Sequence, residues 1–167
     1  MLPEYLEGDN KENDTQAYAD ATFRSVFYKM MELRAIRALA DKSLKEGMEV
    51  IFLGDFNEHV NGSIMSILKS SVLDEMRFWD VLTKYEKDKT THIHRSNRLT
   101  FDTILVSSGL QNYIGDTNVY NGELKDYSML QKGDIETVVE PDHAMVTLTL
   151  NSFCYFLVFV VVYVTLV

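Results

Sequence analysis

The sequence predicts an α/β layered fold, and two adjacent features carry that prediction. Residues from about Ala17 to Lys45 place apolar side chains mostly three or four positions apart, which indicates one long helix. Gly47 follows at a position typical of a helix stop. Residues 49–53 then form a short, largely apolar run that ends at Gly54, as in a strand buried on both faces. A helix followed by a buried strand and a sharp glycine turn indicates helices packed on a sheet.

The predicted helix has an apolar stripe that we expect to face the core. Charged residues lie mostly off that stripe, among them Lys29 and Arg37. The stripe consists of Phe23, Val26, Phe27, Met30, Leu33, Leu39 and Leu44.

Shorter elements are predicted after this unit. Ser63 is placed to cap a short helix that runs through Leu68, and a second helical stretch is expected from Leu73 to Tyr85. Alternating or β-branched residues predict further strands. These strands are expected at 90–94, at 100–107, at 117–120 within an irregular loop covering 115–140, and at 144–150.

The chain divides into a domain, residues 1–150, and an apolar tail, residues 151–167. At 167 residues there is room for one domain with a substantial core. A helix over residues 153–167 would reach about 22 Å at about 1.5 Å per residue, short of the roughly 30 Å core of a bilayer. The tail also lacks a basic flank, so a buried strand or a terminal extension is favoured over a membrane anchor, which stays an alternative.

Composition narrows the function classes. The formal net charge of −9 opposes broad capture of nucleic acid, because phosphate backbones require lysine and arginine to displace counterions. It does not exclude a phosphate substrate, since clustered carboxylates can hold a divalent cation that brings positive charge to the reaction point. The single cysteine, Cys154, excludes an internal disulfide and a cysteine-built metal site. Residues 1–18 are polar and acidic and lack the features of a signal peptide, which favours the cytoplasm.

Two polar residues follow the buried strand directly. Ligands collect at the carboxyl ends of strands in open α/β sheets, where Asp55 offers an anionic oxygen and Asn57 offers amide donors to a phosphate. The same pair also fits a plain polar turn whose side chains bond to backbone groups.

Two later positions could also carry chemistry. Asp102 interrupts an apolar strand, so it either holds a histidine ring in one tautomer or occupies an edge that faces water. Asp142 and His143 precede the alternating strand at 144–150. His143 is a candidate general acid or base, and Asp142 is a hard oxygen ligand suited to Mg²⁺ or Mn²⁺, although an ordinary turn is the alternative.

The remaining histidine pair, His92 and His94, alternates on a predicted strand and therefore faces one side. Two histidines are too few to predict a zinc site. We interpret them as residues of the surface or of the substrate rim.

Three segments together resemble the endonuclease/exonuclease/phosphatase superfamily, a group of DNase-like, metal-dependent phosphoesterases. Residues 50–57 (VIFLGDFN) resemble its apolar strand ending in Gly-Asp-Phe-Asn, and residues 101–107 (FDTILVS) resemble its Ile-Asp-Tyr-Ile-Leu-Val-Ser strand. Residues 141–146 (PDHAMV) resemble its closing Ser-Asp-His-x-Pro-Val. The match covers roughly residues 20–150, and the ordered combination is more specific than any one segment.

The resemblance implies a role for each matching residue. Asp55 would orient or deprotonate the attacking water, and Asn57 would help to hold the phosphate and the water. Asp102 would pair with His143, which would contact the phosphate and take part in proton transfer. Asp142 would lie beside the metal, Mg²⁺ or Mn²⁺. The substrate would be a phosphoester, either nucleic acid or a small-molecule or lipid phosphate, and the apolar tail would favour membrane contact.

The resemblance also implies a partial fold. Members of the family carry an early Asn and a metal-binding Glu in the first half of a four-layer α/β/β/α sandwich, upstream of anything this sequence matches. Pro141 and Thr103 replace a Ser and a Tyr of the family pattern without removing a reactive group. We therefore expect the carboxy-terminal half of such a phosphoesterase, with one sheet face uncovered and prone to self-association. The alternative is a non-catalytic remnant or interaction module that retains this half of the fold.

Overall fold

The structure, a computed structural model, describes residues 15–129, 142–151 and 159–165. It is a mixed α/β fold, as predicted: one long helix lies on a four-stranded sheet, and two small antiparallel sheets accompany it. The helices are α1 (Thr15–Lys45) and α2 (Ser66–Lys69), and the strands are β1 (Glu49–Asp55), β2 (Phe78–Asp80), β3 (His92–His94), β4 (Asn97–Leu99), β5 (Asp102–Ser107), β6 (Ile114–Tyr120), β7 (Met145–Leu150) and β8 (Phe159–Thr165).

Strand β1 lies inside the four-stranded sheet, whose order is β2-β5-β1-β8. It runs antiparallel to β5 and parallel to β8. Near its end, Gly54 has a φ of 140°, a conformation that L side chains rarely adopt, so glycine is required there. The predicted strand is confirmed, but the turn expected at Gly54 is not: the strand continues through Gly54, which pairs with Thr103, to Asp55.

Alternate residues of β1 enter two separate hydrophobic cores. Val50 and Phe52 pack beneath α1, in a cluster that also contains Leu33 and Leu105. Ile51 lies on the other side, in the cluster under β6 and β7. Both faces of β1 are therefore buried, which explains the unbroken apolar run in its sequence.

Helix α1 is present, but only two residues of the predicted stripe, Leu33 and Leu44, lie in or against the core. Phe23, Val26, Phe27, Met30 and Leu39 of the predicted stripe are all exposed. The α1 residues in the core beneath it come from its second half, and that set is Leu33 and Ala40, with Ile36 and Leu44 packed against the cluster. Periodicity identified the helix correctly but could not show how far along its length the sheet extends.

Arg37, expected on the polar side of α1, is buried. Its Nε donates to Asp41 Oδ1 at 2.7 Å, and its guanidinium lies over the Phe78 ring with 5.3 Å between Cζ and the ring centroid. The remaining donors bond to the carbonyl oxygens of Leu68, Ser70 (3.1 Å) and Met76 (2.8 Å). A buried charge is tolerated here because these acceptors satisfy it, and the contacts hold α1 against α2 and the segment that follows it.

Two local predictions between α2 and β3 were wrong. Ser63 does not cap α2 with its side chain; Met65 is the N-cap residue, and the Ser63 carbonyl accepts from the Ser66 amide. The helical stretch expected from Leu73 to Tyr85 is instead two 3₁₀ turns, residues 74–76 and 81–84, flanking β2. Pairing of β2 with β5 overrides the local helical spacing.

Several other predictions are confirmed with shifted bounds. The strand expected at 90–94 is β3, paired with β4, and the strand expected at 117–120 is β6, which begins earlier. β7 directs Val146, Leu148 and Leu150 toward the core, as its alternation predicted. Residues 130–141, which include most of the second half of the expected loop and Pro141, lie outside the described residues.

The described part of the apolar tail is strand β8. Its register with β1 runs from Glu49 opposite Phe159 to Asp55 opposite Thr165. The interpretation of the tail as a strand is confirmed for these residues, whereas 152–158 and 166–167 lie outside the description. No helix within the described ranges is both long and apolar enough to cross a membrane.

Candidate active site

The antiparallel pairing of β1 with β5 places two carboxylates opposite each other. Asp55, the last residue of β1, is the register partner of Asp102, the first residue of β5. The Phe56 amide donates to the Phe101 carbonyl at 3.0 Å, so the pairing continues one step past the strands. Asp102 is therefore not a water-facing edge residue but one wall of a site.

His143 reaches this wall because its backbone is attached to the start of β3. It forms an antiparallel bridge with His92, and the following Ala144 amide donates to the Thr91 carbonyl at 2.8 Å. His143 Nδ1 lies 2.7 Å from Asp102 Oδ2, and His143 Nε2 lies 4.0 Å from Asp55 Oδ2. Three of the residues singled out in the sequence thus meet at one point.

Thr91 organises the meeting point, although nothing in the sequence singled it out. Its side chain is fully buried, and its hydroxyl oxygen accepts from the Phe101 amide at 2.9 Å and from the Asp102 amide at 3.0 Å. Its own backbone binds Leu99 on one side and Ala144 on the other. A β-branched residue before a strand is common, so periodicity carries no signal for this role.

Asn57 completes the turn after β1. Its φ of 46° is left-handed, a conformation that asparagine tolerates better than most residues. Its backbone amide donates to Asp55 Oδ1 at 2.7 Å, and its carbonyl accepts from Lys29 Nζ at 2.7 Å. The interpretation of Asp55 as part of a polar turn is therefore confirmed for Oδ1, while Oδ2 lies 4.0 Å from His143 Nε2.

The electrostatics of the site favour a basic carboxylate beside a protonated imidazole. Burial raises the pKa of the Asp55 carboxyl, and the nearby charge of Asp102 adds to it, against the hydrogen bond from the Asn57 amide. The hydrogen bond to Asp102 raises the pKa of His143, with burial opposing and the charges of Asp102, Asp55 and Asp142 reinforcing it. Both shifts favour the protonated form of the group relative to the free side chain.

A row of aromatic rings borders the site. The ring of His92 stacks on that of His143, with centroids 4.4 Å apart and planes 29° apart, and also lies against Phe101 at 5.8 Å. The ring of His94 also stacks on that of His92, with centroids 6.1 Å apart, which confirms that the two strand histidines face one side. His92 is only partly exposed and touches a site residue, so it belongs to the site itself.

Within the described part of the chain, two groups of side chains could hold a metal ion. Asp55, Asp102 and His143 form one group and His92, Asp142 and His143 the other, with the ligand atoms of each group all within 4.8 Å of one another. Asp142 is exposed, as a ligand that shares its cation with substrate would be. The arrangement provides a carboxylate base, an oriented imidazole and oxygen ligands within one small area.

Comparisons with protein-family models, with curated proteins and with solved structures gave no match for this chain.

Proposed function

We propose that this chain carries part of the active site of a metal-dependent phosphoester hydrolase. The observation that supports the proposal best is the convergence of Asp55, Asp102 and His143, which come from three segments distant in sequence. Each of these segments also carries one part of the resemblance to the endonuclease/exonuclease/phosphatase superfamily. A polar turn alone would not require Asp55 Oδ2 to lie near His143, nor require Asp102 to orient that histidine.

The proposed roles follow from the contacts. Asp55 accepts a proton from the attacking water through Oδ2, because Oδ1 is engaged by the Asn57 amide and because burial increases the basicity of the carboxylate. Asp102 accepts from His143 Nδ1, which leaves Nε2 directed toward Asp55 and the substrate. Protonated His143 stabilises charge on the phosphoryl oxygens. The Asn57 amide group lies at the same turn as a candidate phosphate donor.

The donor set fits a magnesium or manganese ion. Mg²⁺ is usually held by one or two carboxylates together with water and substrate oxygens. Here Asp142 is exposed, precedes strand β7 and lies beside His143. A bound Mg²⁺ supplies charge neutralisation on the phosphoryl oxygens and the leaving group. The family-type glutamate ligand would come from a segment upstream of this sequence.

The proposed fold context is the carboxy-terminal half of a DNase-like four-layer α/β/β/α sandwich. Its support is the buried β1 strand ending at the Asp55 turn, its antiparallel partner β5 and the helix packed on one side. The substrate is proposed as a phosphodiester or phosphomonoester of nucleic acid, lipid or a small molecule. The net charge of −9 favours a compact phosphate group over a long stretch of DNA backbone.

The test is hydrolysis of a chromogenic phosphodiester and of DNA by this chain and by a form extended upstream in its reading frame. Both are assayed with Mg²⁺ and with EDTA. We expect Mg²⁺-dependent activity in the extended form that falls at least about a hundredfold in His143→Ala, the usual scale for loss of a general acid or base. His59→Ala is the matched control, because His59 is exposed and the described hydrogen bond of its ring is to the Asn61 amide of its own turn. An extended form that is inactive with Mg²⁺ would overturn the proposal.

The second candidate is an interaction module without catalysis. It is favoured by the exposed aromatic residues on the first half of α1, where Phe23 is 70% exposed and Phe27 is 49% exposed. The same assay separates the two functions. An interaction module predicts no turnover in either form and no effect of His143→Ala on the binding of a partner.

A further inference from the structure

We propose that Lys29 is a positioning residue of the site, which holds the turn after β1 in the conformation that directs Asp55 toward His143. Lys29 lies in the first half of α1, and its Nζ donates to the Asn57 carbonyl oxygen at 2.7 Å. The two residues are 28 positions apart in the chain, so this contact joins the helix to the end of β1. The sequence pattern indicated only that Lys29 lies off the apolar stripe of α1.

The turn is of a kind that needs contacts from outside itself. Asn57 has a φ of 46°, and left-handed backbone costs a residue with a side chain free energy, so it persists where surrounding contacts maintain it. The two other non-glycine residues with positive φ in the described part of the chain follow this rule. Arg95 and Ser96 donate from their amides to Ser128 Oγ at 2.7 Å and to Asp126 Oδ2 at 2.6 Å, both in another segment. For Asn57, the lysine on α1 supplies such a contact.

Two hydrogen bonds hold Asn57 from opposite ends of its backbone. Its carbonyl oxygen is bound by Lys29, and its amide donates to Asp55 Oδ1 at 2.7 Å. Rotation of Asn57 toward the ordinary negative φ would move its amide relative to the anchored carbonyl and away from Oδ1. With Oδ1 bound, the carboxylate is held with Oδ2 4.0 Å from His143 Nε2. Loss of the Lys29 contact should therefore release the orientation of Asp55 without removing any group from the site.

The surroundings of Lys29 favour a specific contact over a loose surface charge. Lys29 is partly buried, whereas its helix neighbours Tyr28 and Met30 are 51% and 42% exposed. An ammonium group that loses part of its water is stable where an acceptor replaces it, and a charged donor forms a stronger bond than a neutral one. The role thus requires a long side chain with a cationic donor. Arginine meets both requirements, whereas methionine has an apolar chain of similar length and no donor.

The experiment is amide hydrogen exchange, followed by NMR, in the 167-residue chain and its variants. In Lys29→Met, exchange of the Asn57 amide should accelerate at least about threefold, because its bond to Asp55 opens more often. The Phe56 amide is the internal reference, since it donates to the Phe101 carbonyl at 3.0 Å and does not depend on the lysine. Its exchange rate should stay within about 1.5-fold of the wild-type value.

Two further variants separate the contact from a general effect of substitution on α1. Lys29→Arg retains a cationic donor and should keep the slow exchange of the Asn57 amide. Lys42→Met is the matched control, because Lys42 is an exposed lysine of the same helix, 3.9 Å from Glu46, and should leave the exchange unchanged. Equal acceleration at Phe56 and Asn57 in Lys29→Met would assign the effect to the fold as a whole and overturn the proposal. An unchanged Asn57 amide, or an arginine variant that behaves as the methionine variant does, would overturn it as well.

A measurement on the wild-type chain covers the case in which Lys29→Met does not fold. The ammonium group of Lys29 should exchange its protons with water more slowly than that of Lys42, because Lys29 is partly buried and bound to a carbonyl whereas Lys42 is exposed. Equal exchange rates of the two ammonium groups would overturn the proposal.

The consequence for catalysis rests on the proposed function. In the form extended upstream, Lys29→Met should lower kcat at least about tenfold and leave KM within about twofold, since Asp55 is assigned to the attacking water rather than to substrate binding. A normal kcat in this variant would overturn the positioning role. Activity absent from every form would overturn the hydrolase proposal instead, and the exchange measurements would still decide whether Lys29 holds the turn.

Discussion

His143 Nδ1 and Asp102 Oδ2 are 2.7 Å apart, although 41 positions separate the two residues in the chain. The contact forms because β5 begins at Asp102 and because the segment before β7 is bound to the segment before β3 through Thr91 and Ala144. The orientation of the histidine is therefore a product of the sheet topology, and the following predictions depend on it.

Asp102→Asn should lower the pKa of His143 toward its ordinary value. The hydrogen bond to Asp102 is the largest cause of the raised pKa, and an amide cannot stabilise the imidazolium as a carboxylate does. The measurement is an NMR titration of the His143 ring. Asp142→Asn is the control, since the charge of Asp142 contributes least among the causes named. A His143 pKa that moves more in Asp142→Asn than in Asp102→Asn would contradict the assignment.

The raised pKa of His143 also predicts how the free energy of unfolding changes with pH. The folded-state pKa of His143 is above the ordinary value of 6.5, so the folded state binds the proton more tightly. The stabilisation from this pair is complete below about 6.5 and is lost as the pH rises through the folded pKa. Urea unfolding at several pH values should show a decline over this range that is reduced in Asp102→Asn.

Asp55→Asn should stabilise the fold while it removes activity. Burial raises the pKa of the Asp55 carboxyl above 3.8, so above that pH its ionisation costs the folded state free energy. The amide can still accept from the Asn57 amide, and it carries no charge to desolvate. We therefore expect a higher midpoint of thermal unfolding at pH 7 than in the wild-type chain. The Tm of thermal unfolding is the measurement, and the control is Asp142→Asn, whose exposed position should leave the Tm unchanged. A lower Tm in Asp55→Asn would refute the desolvation argument.

The sequence predicted the main helix and the buried strand, but it did not predict every structural detail that depends on neighbouring segments. The helix and β1 follow from strong local signals: regular apolar spacing and an apolar run ending in Gly54. Local signals failed where a neighbour determined the outcome. Arg37 was expected in water, but carbonyls of α2 and of the segment after it bind its guanidinium. The 73–85 segment was expected as helix, but its middle pairs with β5.

The sequence likewise identified some residues of the candidate site but not all of them. The candidates Asp55, Asn57, Asp102 and His143 were visible because polar residues at strand ends interrupt apolar patterns. Thr91 was not visible, because its hydroxyl matters only through the two backbone amides that it receives from another segment. A side chain that organises a site through backbone contacts leaves no local pattern.

Thr91→Val should destabilise the chain and loosen the site. Valine matches threonine in shape and would keep the buried side chain, but it leaves the partly buried amides of Phe101 and Asp102 without their acceptor. Each orphaned donor costs about 1–3 kcal/mol. Urea unfolding measures the loss, and the His143 titration should show a pKa closer to its ordinary value. Thr91→Ser retains the hydroxyl and should preserve both properties; equal losses in the two variants would assign the effect to packing instead.

Removal of β8 should expose an edge of the sheet. Strand β8 is the end member of the order β2-β5-β1-β8, and it pairs with β1 over all seven residues from Glu49 to Asp55. A chain ending at Asn151 would leave the outer N–H and C=O groups of β1 unpaired, and a bare edge strand recruits other strands. We expect concentration-dependent association in light scattering and a lower midpoint of unfolding.

A substitution separates this effect from the loss of apolar residues. Neighbouring amides of a strand point to opposite sides, so replacing both Val161 and Val162 with proline must remove at least one donor that pairs with β1. This double variant should associate as the shortened chain does. Val162→Thr, which retains the backbone donor and a β-branched side chain, should stay monomeric. A shortened chain that remains monomeric with an unchanged midpoint would show that β8 does not protect β1 in solution.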